Sequence, residues 1–110
     1  MKIVAAEPEN AAILSGGGIG SHIQMGIGDG IIPPILDQTI IDEIVTVSDE
    51  DALDTTRRLA KEEGILCGIS SGTNVFVALK MAKELGKGKR VVTVLPDTGE
   101  RYFSTILFDR

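Results

Sequence analysis

The residues whose types and spacing best fit chemistry lie at 64–72, where a short apolar run ends in a corner of glycine and serine. Ser70 and Ser71 come just before a segment with helical periodicity, which we predict to span about 73–85. Backbone N–H groups at a helix N-terminus have no partner within the helix and can bind an acceptor or an anion. The corner therefore predicts either a ligand site on these hydroxyls or a helix cap in a surface turn.

A second candidate is the glycine-dense loop at 16–30. Its Gly26, Ile27 and Gly28 do not fit the G-x-G-x-x-G spacing of a dinucleotide fingerprint, and the chain has no phosphate-binding P-loop motif. Glycines at alternate positions still let the main chain approach a flat ligand closely, because no Cβ intervenes. The sequence leaves a ligand-facing loop and a plain structural loop equally open.

A third candidate follows a continuous apolar run at 90–95, which ends at Pro96 and Asp97. Ligands of α/β proteins bind at the carboxyl ends of parallel strands, so Asp97 is a candidate site residue. The lone His22 has no neighbouring Cys or second His, which argues against a metal site. The lone Cys67 lies in an apolar run and is interpreted as a small buried hydrophobic residue.

Composition excludes several classes of function. The net charge is −5 and Trp is absent, and this disfavours nucleic acid and anionic membranes as partners. No apolar run approaches the roughly 20 residues that span a bilayer. A single cysteine cannot form an internal disulfide and fits a reducing compartment, so we expect a cytoplasmic location.

The pattern of apolar residues predicts alternating strands and helices. Expected strands are 2–6, 43–47 and 90–95; expected helical segments are 10–14, 49–63 after a Ser48 cap and before a Gly64 stop, 73–85, and 100–108. Uniformly apolar strands separated by helices are typical of α/β layers. We expect one partial three-layer α/β/α, Rossmann-like domain over residues 1–110, with a short, mainly parallel sheet and a 73–85 helix buried on more than one side.

Three segments, in this order, resemble the cysteine synthases, the β-replacement branch of the fold type II pyridoxal-phosphate enzymes. Residues 22–33 read H-I-Q-M-G-I-G-D-G-I-I-P, where the family has a pattern close to H-K-I-Q-G-I-G-A-G-F-I-P. Residues 63–72 read E-G-I-L-C-G-I-S-S-G, and residues 96–105 read P-D-T-G-E-R-Y-F-S-T, both close to family motifs. The likeness covers essentially the whole chain and is that of the C-terminal part of the family.

The resemblance implies the cofactor pyridoxal 5'-phosphate and a role for each matched position. Ser70 matches the serine that hydrogen-bonds the pyridine nitrogen, and a neutral hydroxyl does not force that nitrogen to be protonated. Gly26, Ile27 and Gly28 match the segment beside the cofactor that closes over substrate. Pro96 and Asp97 match the wall near the pyridine nitrogen.

The chain also departs from the family pattern. The family's cofactor-linked lysine, its substrate-carboxylate loop and its phosphate-binding loop have no counterpart, so no catalytic residue is assigned here. Asp29 replaces a small residue and Met25 replaces Gln. We therefore expect a segment of a cysteine synthase, an enzyme that converts O-acetylserine and sulfide to cysteine and acetate. We expect the segment to be inactive alone and to act on its amino-acid substrate only with an N-terminal partner chain or in a homodimer.

Three alternatives remain open. The first is a non-catalytic remnant that serves as an interaction or oligomerisation module. The second is a segment of a cystathionine β-synthase-like or O-phosphoserine sulfhydrylase enzyme. The third is a small stand-alone carrier of pyridoxal phosphate. The absent phosphate loop makes the carrier the weakest of these.

Overall fold

A computed structural model describes residues 1–108 of the chain. Two strands and two helices form its framework, in the order β1 (Val4–Pro8), β2 (Glu43–Val47), α1 (Asp49–Glu63) and α2 (Ile69–Leu85). Short 3-10 turns lie at Glu9–Ala11, Gln38–Ile40, Gly99–Tyr102 and Ile106–Phe108. This is a partial α/β domain, as the sequence predicts.

The two strands pair in parallel, with Val4 opposite Glu43 and Pro8 opposite Val47. The predicted bounds of β2 are confirmed, whereas β1 begins and ends two residues later than predicted. Parallel pairing requires a crossover between the strands. The crossover runs from the end of β1 to the start of β2, so the sheet fixes both ends of the crossover. The glycine-rich loop lies within it.

Helix α1 has the ends that the sequence predicts. The Ser48 side chain accepts a hydrogen bond from the Asp51 amide, and Gly64 stops the helix in the left-handed conformation at φ 68°. Acids fill the first turn, where the helix dipole favours negative charge. Helix α1 packs against α2, and α2 packs against the sheet.

Helix α2 begins at Ile69, so the prediction that Ser70 and Ser71 precede the helix is wrong. Gly68 is the N-cap and contributes no side-chain cap bond. Serine is tolerated in a first helical turn, where backbone N–H groups are free. The two hydroxyls therefore sit on the first turn of α2 and are held by its backbone.

Burial of α2 also differs from expectation. Val77 and Met81 are buried against the core, whereas Leu79 is 53% exposed and Leu85 is 44% exposed. Residues 69–73 at the start of α2 are all buried, and the helix contacts both α1 and the sheet. The predicted burial on more than one side is therefore seen at the start of α2 and not in its last turns.

The predicted strand 90–95 is wrong within the described residues, because no described strand lies beside it to form a ladder. Asn74 Nδ2 donates to the Val94 carbonyl at 2.8 Å and ties the segment to α2. Val92 is nevertheless 85% exposed and Val94 66% exposed. The predicted helix 100–108 is replaced by the two last 3-10 turns.

The core lies where β2, α1 and α2 meet. Ala52 and Ile69 are fully buried there, and Tyr102 and Leu107 cover the end of the cluster. The Arg57 guanidinium donates to the Leu107 carbonyl at 3.0 Å. The last turns are therefore fastened to α1 by packing and by hydrogen bonds.

Candidate functional site

The glycine-serine corner lies beside the third candidate segment. Cys67 and Thr98 form an antiparallel bridge, and the Gly99 amide donates to the Leu66 carbonyl at 3.1 Å. The Gly68 amide also approaches the Asp97 carbonyl, at 3.4 Å. Residues 66–68 and 97–99 thus form one unit directly before α2.

Glycine is required at position 68 by close contacts. A Cβ there would lie 2.0 Å from Asp97 Oδ1 and 2.6 Å from Tyr102 Cε2. Both distances are far shorter than van der Waals contact. The missing side chain lets the Asp97 carboxylate lie against the start of α2.

Asp97 and Tyr102 form a hydrogen-bonded pair. The Tyr102 hydroxyl donates to Asp97 Oδ2 at 2.5 Å. Burial, followed by the bond to this carboxylate and its negative charge, raises the pKa of Tyr102 to about 12. The phenol is therefore a neutral donor that fixes the carboxylate orientation.

One buried polar atom in this unit, Asp97 Oδ1, has no hydrogen-bond partner among the described residues. The Ser71 side chain interacts with the buried Cys67 thiol. Ser71 is fully buried, and Ser70 is only 2% exposed. Buried polar atoms almost always have partners, so such atoms mark a place where a further group belongs.

Cys67 is 3% exposed, which agrees with its interpretation as a small buried residue. Burial is the largest cause that raises the pKa of its thiol. A thiol held neutral is a poor nucleophile, so Cys67 is assigned no catalytic role.

The glycine loop is shaped around His22. The ring accepts from the Gln24 amide at Nδ1 (3.0 Å), and its Nε2 lies 3.1 Å from the Gly28 carbonyl. With Nδ1 accepting, Nε2 carries the proton and donates to that carbonyl. Gly28 has φ +65°, and a Cβ there would lie 2.6 Å from Pro8 Cγ. His22 therefore positions Gly28, and no side chain is accommodated there.

Gln24 is the residue that the sequence analysis missed. It is fully buried. Its Nε2 donates to the Val47 carbonyl at 2.9 Å and to Asp49 Oδ1 at 3.0 Å, and its Oε1 accepts from Thr73 Oγ1 at 2.7 Å. One amide side chain thus joins the loop to β2, α1 and α2. Only its place between His22 and Gly26 could have drawn attention to it.

Glu7 was also missed. This buried carboxylate accepts from the Leu14 amide at Oε1 and from the Ser15 amide at Oε2, both at 3.0 Å. Two backbone bonds and the Ser15 hydroxyl (2.6 Å) satisfy its charge. Glu7 therefore anchors the entry of the glycine loop to the end of β1.

The predicted site residues thus fall into two linked groups. Asp97 belongs to the unit directly before α2, and Pro96 and Ser70 lie within two residues of that unit in the sequence. Gly26, Ile27 and Gly28 lie in the loop that Gln24 joins to Thr73, three residues after Ser70. Whether these residues contact a cofactor stays a prediction.

The described residues hold no group of three His, Cys, Asp or Glu side chains placed to bind a metal ion. None of the helices within residues 1–108 has the length and apolar character needed to cross a membrane.

Comparison with known proteins identifies the class. The family model for pyridoxal-phosphate dependent enzymes matches residues 1–97, and the chain belongs to that family. A cysteine synthase of Staphylococcus aureus is 55% identical over 108 residues, which are 98% of this chain and 35% of that protein. A probable cysteine synthase of Bacillus subtilis is 54% identical over 93% of this chain and 33% of its own length. The chain therefore corresponds to a segment of a cysteine synthase and spans about a third of these relatives.

Solved structures agree with this assignment. A cysteine synthase of Entamoeba histolytica superposes with a TM-score of 0.93 at 42% identity, over 97% of this chain and 32% of that one. An O-ureido-L-serine synthase superposes with a TM-score of 0.94 at 47% identity, over 99% and 34%. The described fold is thus the fold of this segment in the complete enzymes.

The family's cofactor is pyridoxal phosphate, and the residues present fit one side of it. The Ser70 hydroxyl is a neutral partner for a heterocyclic nitrogen, and Asp97 Oδ1 is a buried polar atom without a partner among the described residues. The described lysines lie elsewhere: Lys2 pairs with Glu43 at 2.8 Å, and the others belong to the helices or to the turn at 86–89.

Proposed function

We propose that this chain is the C-terminal segment of a cysteine synthase, a single partial domain that carries the pyridine-ring side of the cofactor site. The supporting observation lies at the start of α2, where the buried Ser70 follows the unit that holds the unpartnered Asp97 Oδ1. The complete enzyme replaces the acetate of O-acetylserine with sulfide to form cysteine.

Each side chain has a defined task in this proposal. Ser70 holds the ring nitrogen, and Asp97, fixed by Tyr102, walls the same end of the ring with Pro96. The loop segment of Gly26, Ile27 and Gly28 covers the substrate and excludes water. Gln24 holds this loop in place through its hydrogen bonds to β2, α1 and α2. The cofactor, when bound, supplies an electron sink for the α-carbon of the amino acid.

The chain works only when other residues complete its site. Either a partner chain supplies the part of the family sequence that this chain does not span, or a second copy of the chain completes the site in a homodimer. Support comes from the share of the relatives that it spans, about a third. A cytoplasmic location also remains a prediction, and it rests on the single cysteine.

The choice of substrate is proposed to lie outside this segment. A structure described as an O-acetylserine dependent cystathionine beta-synthase from Helicobacter pylori superposes with a TM-score of 0.91 at 42% identity. A relative with a different name thus shares this segment, and cystathionine β-synthase-like or O-phosphoserine chemistry is compatible with it.

The test measures pyridoxal-phosphate binding by the Ser70→Ala variant of this chain. The variant is combined with a second chain, which is the part of the Staphylococcus aureus cysteine synthase that this chain does not match. Loss of one neutral hydrogen bond of about 1 kcal/mol should weaken pyridoxal-phosphate binding about five-fold and shift the cofactor absorbance. The matched control, Ser21→Ala, lies at an exposed position and should leave both unchanged. Equal behaviour of the two variants would contradict the role of Ser70.

The second candidate function is an interaction module without catalysis. It is favoured by the exposed apolar side chains, among them Ile35 at 94% and Val92 at 85%. Such surfaces mark association sites. Tight binding of a partner unrelated to this family, with no cofactor binding in any complex, would support this candidate over the first.

A further inference from the structure

His22 is the only side chain in residues 3–56 that can carry a positive charge, because this stretch has no Lys or Arg. Both of its ring nitrogens are engaged. Nδ1 lies 3.0 Å from the Gln24 amide nitrogen, and Nε2 lies 3.1 Å from the Gly28 carbonyl oxygen. An amide N–H only donates and a carbonyl only accepts, so both contacts are hydrogen bonds only when the ring is neutral with its proton on Nε2.

The bond to Gly28 holds a segment that has no other hydrogen bond in the described part of the chain. Residues 28–32 make one such bond, and its donor is the His22 ring. The ring also packs closely here, since a Cβ on Gly28 would lie 2.8 Å from His22 Nε2 and 2.6 Å from Pro8 Cγ. The position of Gly28 therefore depends on the ring.

The residues that follow His22 are fastened to the core. The Ile23 amide donates to Asp49 Oδ2 at 3.2 Å. The fully buried Gln24 side chain is hydrogen-bonded to β2, α1 and α2. The Gln24 amide therefore stays in place when the His22 ring changes its protonation state.

A proton on His22 Nδ1 is incompatible with this arrangement. The Nδ1–H and the Gln24 N–H would then be two donors facing each other, and neither could accept. Because Gln24 is held in place, the ring has to turn, and Nε2 then leaves the Gly28 carbonyl. An imidazole ordinarily gains its proton between about pH 8 and pH 5, so the bond to Gly28 is sensitive to pH near neutrality.

The ionisable groups on the elements packed around His22 are all acids. Residues 44–47 of β2 and residues 69–79 of α2 carry no charge. The acids are Glu7 of β1, Asp49 at the start of α1, and Asp29, which is exposed in the loop itself. Glu7 and Asp49 are held by backbone amides, so Asp29 is the group that a control has to exclude.

We propose that His22 is a pH-dependent positioning residue. As a neutral imidazole it holds Gly28, and as an imidazolium it releases the segment Gly26–Gly28. The proposal rests on the proposed function only in taking this segment to cover the substrate. Substrate is then held more weakly at acidic pH, while the residues at the start of α2 are unchanged.

The single histidine allows a direct test by NMR on the isotope-labelled chain, alone and with the unmatched part of the Staphylococcus aureus cysteine synthase. At about pH 8 the ring should carry its proton on Nε2. The Gly28 carbonyl carbon and the Gln24 amide should shift between about pH 8 and pH 5 with the same midpoint as the ring. A proton on Nδ1 at about pH 8, or a Gly28 signal that does not follow the ring, would overturn the proposal.

Two variants separate His22 from the exposed acid. His22→Gln keeps an amide donor for the Gly28 carbonyl but does not titrate, so the shift of Gly28 with pH should disappear. Asp29→Ala removes the carboxylate and should leave that shift in place. Persistence of the shift in His22→Gln, or its loss in Asp29→Ala, would contradict the role of His22.

Substrate binding gives the functional readout in the complex with added pyridoxal phosphate. O-acetylserine is titrated without sulfide and followed by the cofactor absorbance. The substrate's own ionisation affects both proteins equally, so the unchanged chain is compared with His22→Gln at each pH. Between about pH 8 and pH 5 the unchanged chain should lose about five-fold more affinity, which corresponds to one hydrogen bond.

The two proposals fail in different ways. A complex that binds cofactor and loses equal affinity with both proteins would overturn the pH-dependent role of His22 and leave the proposed function standing. A complex that binds no cofactor would count against the proposed function alone, because the NMR test of His22 needs neither cofactor nor turnover.

Discussion

Thr73 Oγ1 donates a 2.7 Å hydrogen bond to Gln24 Oε1, and this bond joins the glycine-rich loop to the helix that carries Ser70. Both side chains are fully buried. This bond therefore fixes the position of the loop relative to the first turn of α2.

Replacing Gln24 with Leu should destabilise the chain by about 2 kcal/mol or more. The change roughly keeps the volume but removes the donor to the Val47 carbonyl and to Asp49 Oδ1, and Thr73 Oγ1 keeps only its 3.4 Å bond to the Ile69 carbonyl. Each unsatisfied buried group costs about 1–3 kcal/mol. Urea unfolding measures the loss. Met25→Leu is the control, since Met25 is 52% exposed and should change stability by less than about 0.5 kcal/mol.

Equal midpoints for the Gln24 and Met25 variants would contradict the anchoring role of Gln24. The same comparison in the assembled complex should show weaker substrate binding for Gln24→Leu, because the loop that carries Gly26 and Gly28 loses its attachment.

Gly68→Ala should disrupt the unit at the start of α2. Its Cβ would meet Asp97 Oδ1 at 2.0 Å, and overpacking of this kind costs about 1–3 kcal/mol. Gly18→Ala is matched, because nothing lies within 4 Å of its Cβ and its φ is not in the positive range. Thermal unfolding should separate the two variants, and a Gly68→Ala chain as stable as Gly18→Ala would refute the close contact.

The titration of Tyr102 can be followed without interference, since the chain has one Tyr and no Trp. Its pKa of about 12 lies above the ordinary value of about 10, because the phenol is buried and bonded to Asp97. The folded state thus binds this proton more tightly than the unfolded state does. The resulting stability is complete below pH of about 10 and is lost as the pH rises toward 12.

Tyrosinate absorbance and unfolding free energy, both measured against pH, check this expectation. In Asp97→Asn the carboxylate charge is gone, so the Tyr102 midpoint should move down toward 10. A midpoint near 10 in the unchanged chain would contradict the buried pair.

The sequence predicts an element correctly when the residues that stabilise it lie close to it in the sequence. Helix α1 is specified locally, by the Ser48 cap, the acidic first turn and Gly64, and its bounds were predicted correctly. Residues 90–95 have the composition of a strand, but a strand needs a neighbour, and none is present among the described residues. The start of α2 was misplaced because Gly68 is fixed by a contact with Asp97, 29 positions away in sequence.

The candidate site residues also divide into those that sequence motifs identify and those that only distant contacts identify. Ser70, Gly28 and Asp97 stand in recognisable motifs, so sequence can name them. Gln24 and Glu7 act through bonds to β2, α1, α2 and the loop backbone, and no spacing in the sequence reveals those bonds. Burial of a polar side chain is visible only once the fold is known.

The most direct test of the central claim is a pyridoxal-phosphate titration, followed by borohydride reduction and mass mapping of lysines. The chain alone should show no stoichiometric adduct, and addition of the unmatched part of the Staphylococcus aureus cysteine synthase should produce one cofactor per complex, fixed to a lysine of that added chain. A single stoichiometric adduct on a lysine of this chain by itself would contradict the account, because the segment would then build a complete cofactor site.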